Sequence, residues 1–230
     1  MSNHLPLIGR ESNPFPRHNI ALDANGVARY TDLPKSLIAL LWQHVSDTPD
    51  VEAVVELNGE RLTYRQLWDR SAEIAGGLRD SGLQPGQRVA NTHPAGVSWV
   101  LAYWGVLMAG GISVAVNTRL TPREIDYILR DAGVVRELGP NHPFPKGPPF
   151  VIEDVAPDAV VTLFYTSGTT GHPKGVPFSH ENLLTSSRNI VDALRIQAAS
   201  PSEIRTLISV PLFHVTGCNT QMMVAAFLGG

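Results

Sequence analysis

Residues 97–116 read VSWVLAYWGVLMAGGISVAV. They sit inside a longer run, from Arg88 to Arg119, whose interior carries no Asp, Glu, Lys or Arg. Two structures compete for such a stretch. About 20 apolar residues suffice to cross a bilayer as one helix. The break at Ala109-Gly110-Gly111 argues for the other structure. Glycines stand where a helix C-cap would sit, and β-branched residues follow them. The expected arrangement is a buried helix over about 96–108 and a buried strand over 112–116, each too short to span a membrane.

The flanking sequence extends this alternation. On the N-terminal side, Thr63 and Gln66 have the spacing of a capping box. Tyr64, Leu67, Ile74 and Leu78 then share one helical face, and Gly82 is the expected stop. Gln84-Pro85-Gly86 reads as a turn into a strand at Arg88-Val89-Ala90. Further upstream, residues 53–57 and 60–62 flank Asn58-Gly59, the signal of a tight β-hairpin. Residues 37–45 have helical apolar spacing. Residues 1–36 read as an irregular N-terminal segment, with Pro6, Pro14, Pro16 and an Asn25-Gly26 turn. On the C-terminal side, Thr121 is a good N-cap and Pro122 suits the first helical position. Glu124 completes a box for a helix to about Asp131. Strands alternating with helices predict an α/β fold, layered α/β/α with mostly parallel sheets.

Residues 139–150 read GPNHPFPKGPPF, and their five prolines forbid regular structure. They are expected to be a linker between a first α/β subdomain at 37–138 and the start of a second at 151–230. In the second part, 159–165 (AVVTLFY) suits a buried strand, and Ser179 caps a helix through about 194. Residues 206–210 (TLISV) are read as a further strand. Phe227-Leu228-Gly229-Gly230 reads as the end of an apolar helix.

Of the 230 residues, 43% are hydrophobic and 17% charged, with a net charge of −3. That is a globular composition, without the basic excess expected of a partner for nucleic acid or an anionic membrane. The single cysteine, Cys218, permits no internal disulfide, and a reducing, cytoplasmic setting is expected. The polar, Pro-containing N-terminus has no apolar core of a signal peptide.

The chemistry concentrates at 165–176, YTSGTTGHPKGV. Hydroxyls of Thr166, Ser167, Thr169 and Thr170 and unobstructed amides at Gly168, Gly171 and Gly175 are donors suited to phosphate oxygens. Lys174 adds a mobile positive charge. A position straight after a buried strand is where open α/β sheets bind ligands. A flexible surface turn of the same composition is the bland alternative. A Walker A loop is excluded because Pro173 and Gly175, not Gly and Ser or Thr, flank Lys174; a Rossmann glycine fingerprint is absent. A P-loop kinase is therefore disfavoured.

The order of residues in YTSGTTGHPKGV resembles the signature of the adenylate-forming superfamily, which includes acyl- and aryl-coenzyme A ligases, luciferases and peptide-synthetase adenylation domains. The stretches at 62–90, 100–133 and 209–217 (SVPLFHVTG) are similar to further family segments, in the style of bacterial fatty-acyl-coenzyme A ligases. The resemblance runs from about Leu37 onward and is weakest between Val134 and Pro157. It implies that Thr166, Ser167, Gly168, Thr169, Thr170, Gly171 and Lys174 hold ATP phosphates. It places His214 beside the substrate carboxylate, with Thr216 and Gly217 lining the same pocket; a packed core histidine is the alternative at His214. It implies ATP, magnesium, coenzyme A and a small carboxylic acid as partners, the acid fatty or otherwise hydrophobic. Phe213, Val215, Met222 and Met223 would suit such an acid but equally an ordinary core. Cys218 is expected to be a small buried residue, and His172 has no assigned role.

Nothing in the sequence resembles the family's magnesium-holding acidic motif, its ribose-binding Asp or its late catalytic Lys. The expectation is thus of the N-terminal portion of such a ligase, without its C-terminal domain and inactive alone. A non-catalytic short relative that binds nucleotide or a partner protein is the alternative. Self-association through exposed apolar surface is also expected.

Overall fold

The computed structural model describes residues 19–166, 172–196, 200 and 203–230. The stretch at 97–116 resolves as the break dictates. A helix α3 covers Val97–Met108 and a strand β6 covers Ile112–Ala115. Almost every residue of α3 is buried, which explains why it is apolar all round. Among the described residues no helix is long and apolar enough to cross a membrane.

The other elements run in chain order. An N-terminal hairpin is formed by β1 (Ile20–Leu22) and β2 (Ala28–Tyr30). Helix α1 (Leu37–Asp47) leads to a second hairpin, β3 (Glu52–Val55) and β4 (Arg61–Thr63). Then come α2 (Tyr64–Asp80), β5 (Arg88–Asn91), α3, β6, α4 (Pro122–Asp131) and β7 (Val134–Leu138). The last third holds β8 (Val160–Thr166), β9 (Lys174–Ser179), α5 (His180–Leu194) and α6 (Val224–Leu228), the last preceded by a π-helical stretch at Thr216–Met223. The capping boxes at Thr63/Gln66 and Thr121/Glu124 form as the spacing predicts, and Ser179/Asn182 makes a third.

One five-stranded sheet organises the molecule, in the order β7–β5–β6–β8–β9. The first four strands are parallel, and β9 returns antiparallel to β8. Side chains alternate across the sheet. Val89, Ala115 and Phe164 join the large core with α1, α2 and α3 on one face. Ala90, Val114, Val116, Leu163 and Tyr165 join a smaller cluster with Ile128 of α4 on the other. This is the layered α/β/α arrangement that the sequence predicts. Inside the larger core, Trp99 stacks on Tyr103 at 5.4 Å between ring centroids. The Tyr103 hydroxyl reaches Thr162 Oγ1 at 3.0 Å, tying α3 to the floor of β8.

Residues 139–150 are irregular apart from a single bridge between Gly139 and His142, as the prolines require. They lie as a strap along α2. The Gly147 amide donates to Glu73 O at 3.1 Å and the Phe150 amide to Ala72 O at 3.0 Å. The approach is close because α2 presents Gly76 and Gly77. A Cβ at Gly76 would lie 1.8 Å from Pro148 O. Strands from both sides of the strap pair directly, β6 with β8.

Two local readings are corrected. Residues 206–210 form no strand. Leu207 is 74% exposed, and the Ser209 and Val210 amides donate to the Gln221 side chain, at 3.2 and 3.3 Å, rather than to a ladder. The segment before residue 37 is not wholly irregular either. The Asn25-Gly26 signal closes the β1–β2 hairpin, which is held to α5 by the Arg29–Glu181 ion pair and by a hydrogen bond from Tyr30 to Asn189 at 2.8 Å.

Candidate functional site

Strand β8 ends at Thr166 and β9 begins at Lys174, and the two residues are register partners across the hairpin. Since β8 is parallel to β6, Thr166 stands at the carboxyl end of the parallel strands, where ligands bind in open α/β sheets. Ser167, Gly168, Thr169, Thr170 and Gly171 lie outside the described residues. The loop leads into a strand, not the helix of a Walker A motif, in keeping with Pro173. Lys174 is exposed.

The hairpin limbs are fastened from α4. The Tyr165 hydroxyl donates to Asp131 Oδ2 at 2.7 Å. Burial, then the neighbouring Asp131 carboxylate, pushes the Tyr165 phenol up from its ordinary range. On the other limb, the His172 ring stacks on Tyr127, centroids 5.0 Å apart and planes 21° apart. Sequence reasoning gave neither Tyr127 nor Asp131 a role. Their four-residue spacing, which puts them on one helical face, was the only available signal.

The second group of expected site residues sits in one tight turn before α6. The Thr216 amide donates to His214 Nδ1 at 3.3 Å, and the Thr216 hydroxyl lies 3.2 Å from the same nitrogen. Because an amide donates to Nδ1, the neutral imidazole carries its proton on Nε2. The His214 side chain is exposed, so it is not a packed core histidine. Gly217 is buried, and a Cβ there would lie 2.4 Å from Pro211 O. Its small size lets the turn fold back on residues 210–211. Met222 and Met223 are buried in the main core, as is Cys218.

Both groups are joined through α5. Its N-cap, Ser179, is the last residue of β9, and Ser186 accepts a hydrogen bond from Asn219 Nδ2 at 2.8 Å. A crevice of about 370 Å³ opens near the ends of β5 and β6, walled by His93, Trp99, Arg119, Leu212 and Phe213. Among the described residues no three His, Cys, Asp or Glu side chains cluster as metal ligands.

The family model described as "AMP-binding enzyme" matches residues 41–143 and 137–230. A feruloyl-CoA synthase from an Amycolatopsis species is 32% identical over 196 residues, covering 76% of this chain and 39% of that protein. The fatty acid–[acyl-carrier-protein] ligase ScoC of Streptomyces coeruleorubidus is 34% identical over 214 residues, covering 80% and 40%. Among solved structures, the inhibitor-bound N-terminal domain of FACL13 from Mycobacterium tuberculosis superposes with a TM-score of 0.71 at 27% identity, covering 85% of this chain and 56% of that one. The o-succinylbenzoate CoA synthetase MenE of Bacillus subtilis, solved with its acyl-adenylate intermediate, gives 0.71 at 26% identity, covering 83% and 53%. The chain thus spans about two fifths of the length of these curated relatives. The family-model match over most of the sequence, together with solved structures of the same fold, places this chain in the AMP-binding enzyme family.

Proposed function

We propose that this chain supplies the nucleotide-binding portion of an ATP-dependent carboxylic acid:coenzyme A ligase. The observation that carries the reading is the pairing of Thr166 with Lys174 at the open end of the β8–β9 hairpin, with the whole YTSGTTGHPKGV string around it. In the reaction, the acid's carboxylate oxygen attacks the α-phosphorus of ATP. The bond to the β-phosphate bridging oxygen breaks, and pyrophosphate leaves. The acyl-adenylate then passes its acyl group to a thiol, with AMP as the second leaving group. Thr166, Ser167, Gly168, Thr169, Thr170 and Gly171 donate to the β- and γ-phosphate oxygens, and the Lys174 ammonium offsets charge that grows on the departing pyrophosphate. His214 presents Nε2–H to the carboxylate and orients it, while Thr216 holds the imidazole in that tautomer. Gly217 shapes the same turn. The apolar wall at Leu212 and Phe213 favours a hydrophobic acid, fatty or aryl.

Feruloyl-CoA synthase and ScoC act on feruloyl and fatty acyl groups, which supports this substrate class. The test is acid-dependent ATP–pyrophosphate exchange by the whole protein, with a panel of fatty and hydroxycinnamic acids. Exchange above background with at least one acid is expected, and replacing Lys174 by Ala should lower it by about 10- to 100-fold. Exchange with no acid in the panel would sink the proposal. The 230 residues alone are proposed to bind nucleotide without completing exchange.

A further inference from the structure

Helix α4 touches both limbs of the phosphate hairpin, through two residues one helical turn apart. Tyr127 stacks on His172, two residues before Lys174. Asp131 accepts the hydroxyl proton of Tyr165, the residue before Thr166. Residues four apart share a helical face, so a single rigid face addresses the entry and the exit of the loop. The ring stack and the hydrogen bond add to the packing that holds α4 down, in which Tyr127 and Tyr165 also take part as partly buried members. The buried centre of that packing is Ile128 against Ala90, Val114 and Val116, with Leu120, Ile125 and Leu129 around it. Asp131 itself is exposed. The helix is also fixed at its start, by Pro122 and the Thr121/Glu124 capping box. It is therefore a firm support.

We propose that Tyr127 and Asp131 are positioning residues for the phosphate loop, bracing its two limbs at the separation at which Thr166 and Lys174 grip one polyphosphate. The inference rests on the nucleotide-binding role proposed for the hairpin. A hairpin end with only its own ladder to hold it frays readily, and a loop that must be ordered by its ligand binds more weakly than one already in place. A carboxylate accepting a phenol proton makes a strong, directional hydrogen bond. A stacked ring pair adds dispersion over a flat area without demanding a charge on His172.

The test uses the full chain with three substitutions: Tyr127→Ala, Tyr127→Phe and Tyr165→Phe. Hydrogen exchange is followed in peptides spanning 160–180 and in peptides from α2, α3 and β5, alongside calorimetric titration with MgATP. In Tyr127→Ala and Tyr165→Phe, amides of the hairpin end should exchange about threefold to tenfold faster. The dissociation constant for MgATP should rise by a similar factor. Peptides from α2, α3 and β5 should be unchanged, and Tyr127→Phe, which keeps the ring, should behave as the parent does. Parent-like exchange at the hairpin overturns the inference. So does faster exchange everywhere, which marks a merely structural role, or a loosened hairpin with unchanged MgATP affinity. If the parent binds no nucleotide, the proposed ligase function falls, and the exchange pattern alone decides the bracing.

Discussion

The Nδ1 atom of His180 accepts the Leu37 amide proton at 3.1 Å, so a buried imidazole joins the first turn of α5 to the first turn of α1. The bond satisfies one of the orphan amides that every helix N-terminus leaves. It also anchors the foot of β9, since His180 directly follows Ser179. Burial pushes the His180 imidazole down to about 4. The helix N-terminus on which it sits further disfavours a positive charge there.

A pH dependence arises from that bond. The folded state keeps His180 neutral while the unfolded chain takes up a proton near pH 6.5. The contribution is complete above about pH 6.5 and is lost as pH falls toward about 4. His44 and His93 are lowered by burial in the same direction. Urea unfolding measured between pH 7 and pH 4.5 should show stability falling with acidification. His180→Asn should flatten that slope by up to about 1.4 kcal/mol per pH unit. An identical slope in parent and variant would mean that His180 does not contribute to the pH dependence.

The strap at 139–150 depends on the bare backbone of α2. Alanine is the better helix former by about 1 kcal/mol, so propensity alone predicts that Gly76→Ala and Gly77→Ala stabilise. The new methyl at Gly76 would instead meet Pro148 O, and that at Gly77 would lie 2.5 Å from Lys146 N. Backbone cannot yield as a flexible side chain does. Each substitution should therefore destabilise by about 1–3 kcal/mol in urea unfolding. Stabilisation of either variant would mean that the strap does not rest on α2.

Cys218 is fully buried, and burial pushes its thiol well above the ordinary range. The thiolate is the reactive form. Ellman's reagent at pH 8 should leave the native protein unmodified and titrate one thiol after unfolding in guanidinium. Rapid reaction of the native protein would place Cys218 at an accessible surface and contradict the packing of the π-helical turn.

What the sequence made legible was local chemistry. Capping boxes at Thr63/Gln66 and Thr121/Glu124 are read from three-residue spacings, and the helix–break–strand at 97–116 from a pair of glycines. Strands β7 and β9 were not legible. β9 carries Pro177 and is mostly exposed, both of which argue against a strand except at a sheet edge, where it lies. Its partner is β8, which composition alone does not announce. The reverse error occurred at 206–210, where an apolar run looked like a strand although a ladder also needs a neighbour. At the candidate site, the motif that holds Thr166 and Lys174 was legible because it is contiguous. The contacts of Tyr127 with His172 and of Asp131 with Tyr165 were not, because they exist only once α4 lies across the sheet.

The claim that this hairpin is a polyphosphate grip is tested most directly by calorimetric titration of MgATP into the chain. Saturable binding to one site is expected. Lys174→Ala should weaken that binding by about tenfold or more, through loss of a charge-assisted contact, while Lys35→Ala, a lysine in the segment before α1, should leave it unchanged. Absence of binding to the parent, or equal affinity in the parent and Lys174→Ala, would contradict it.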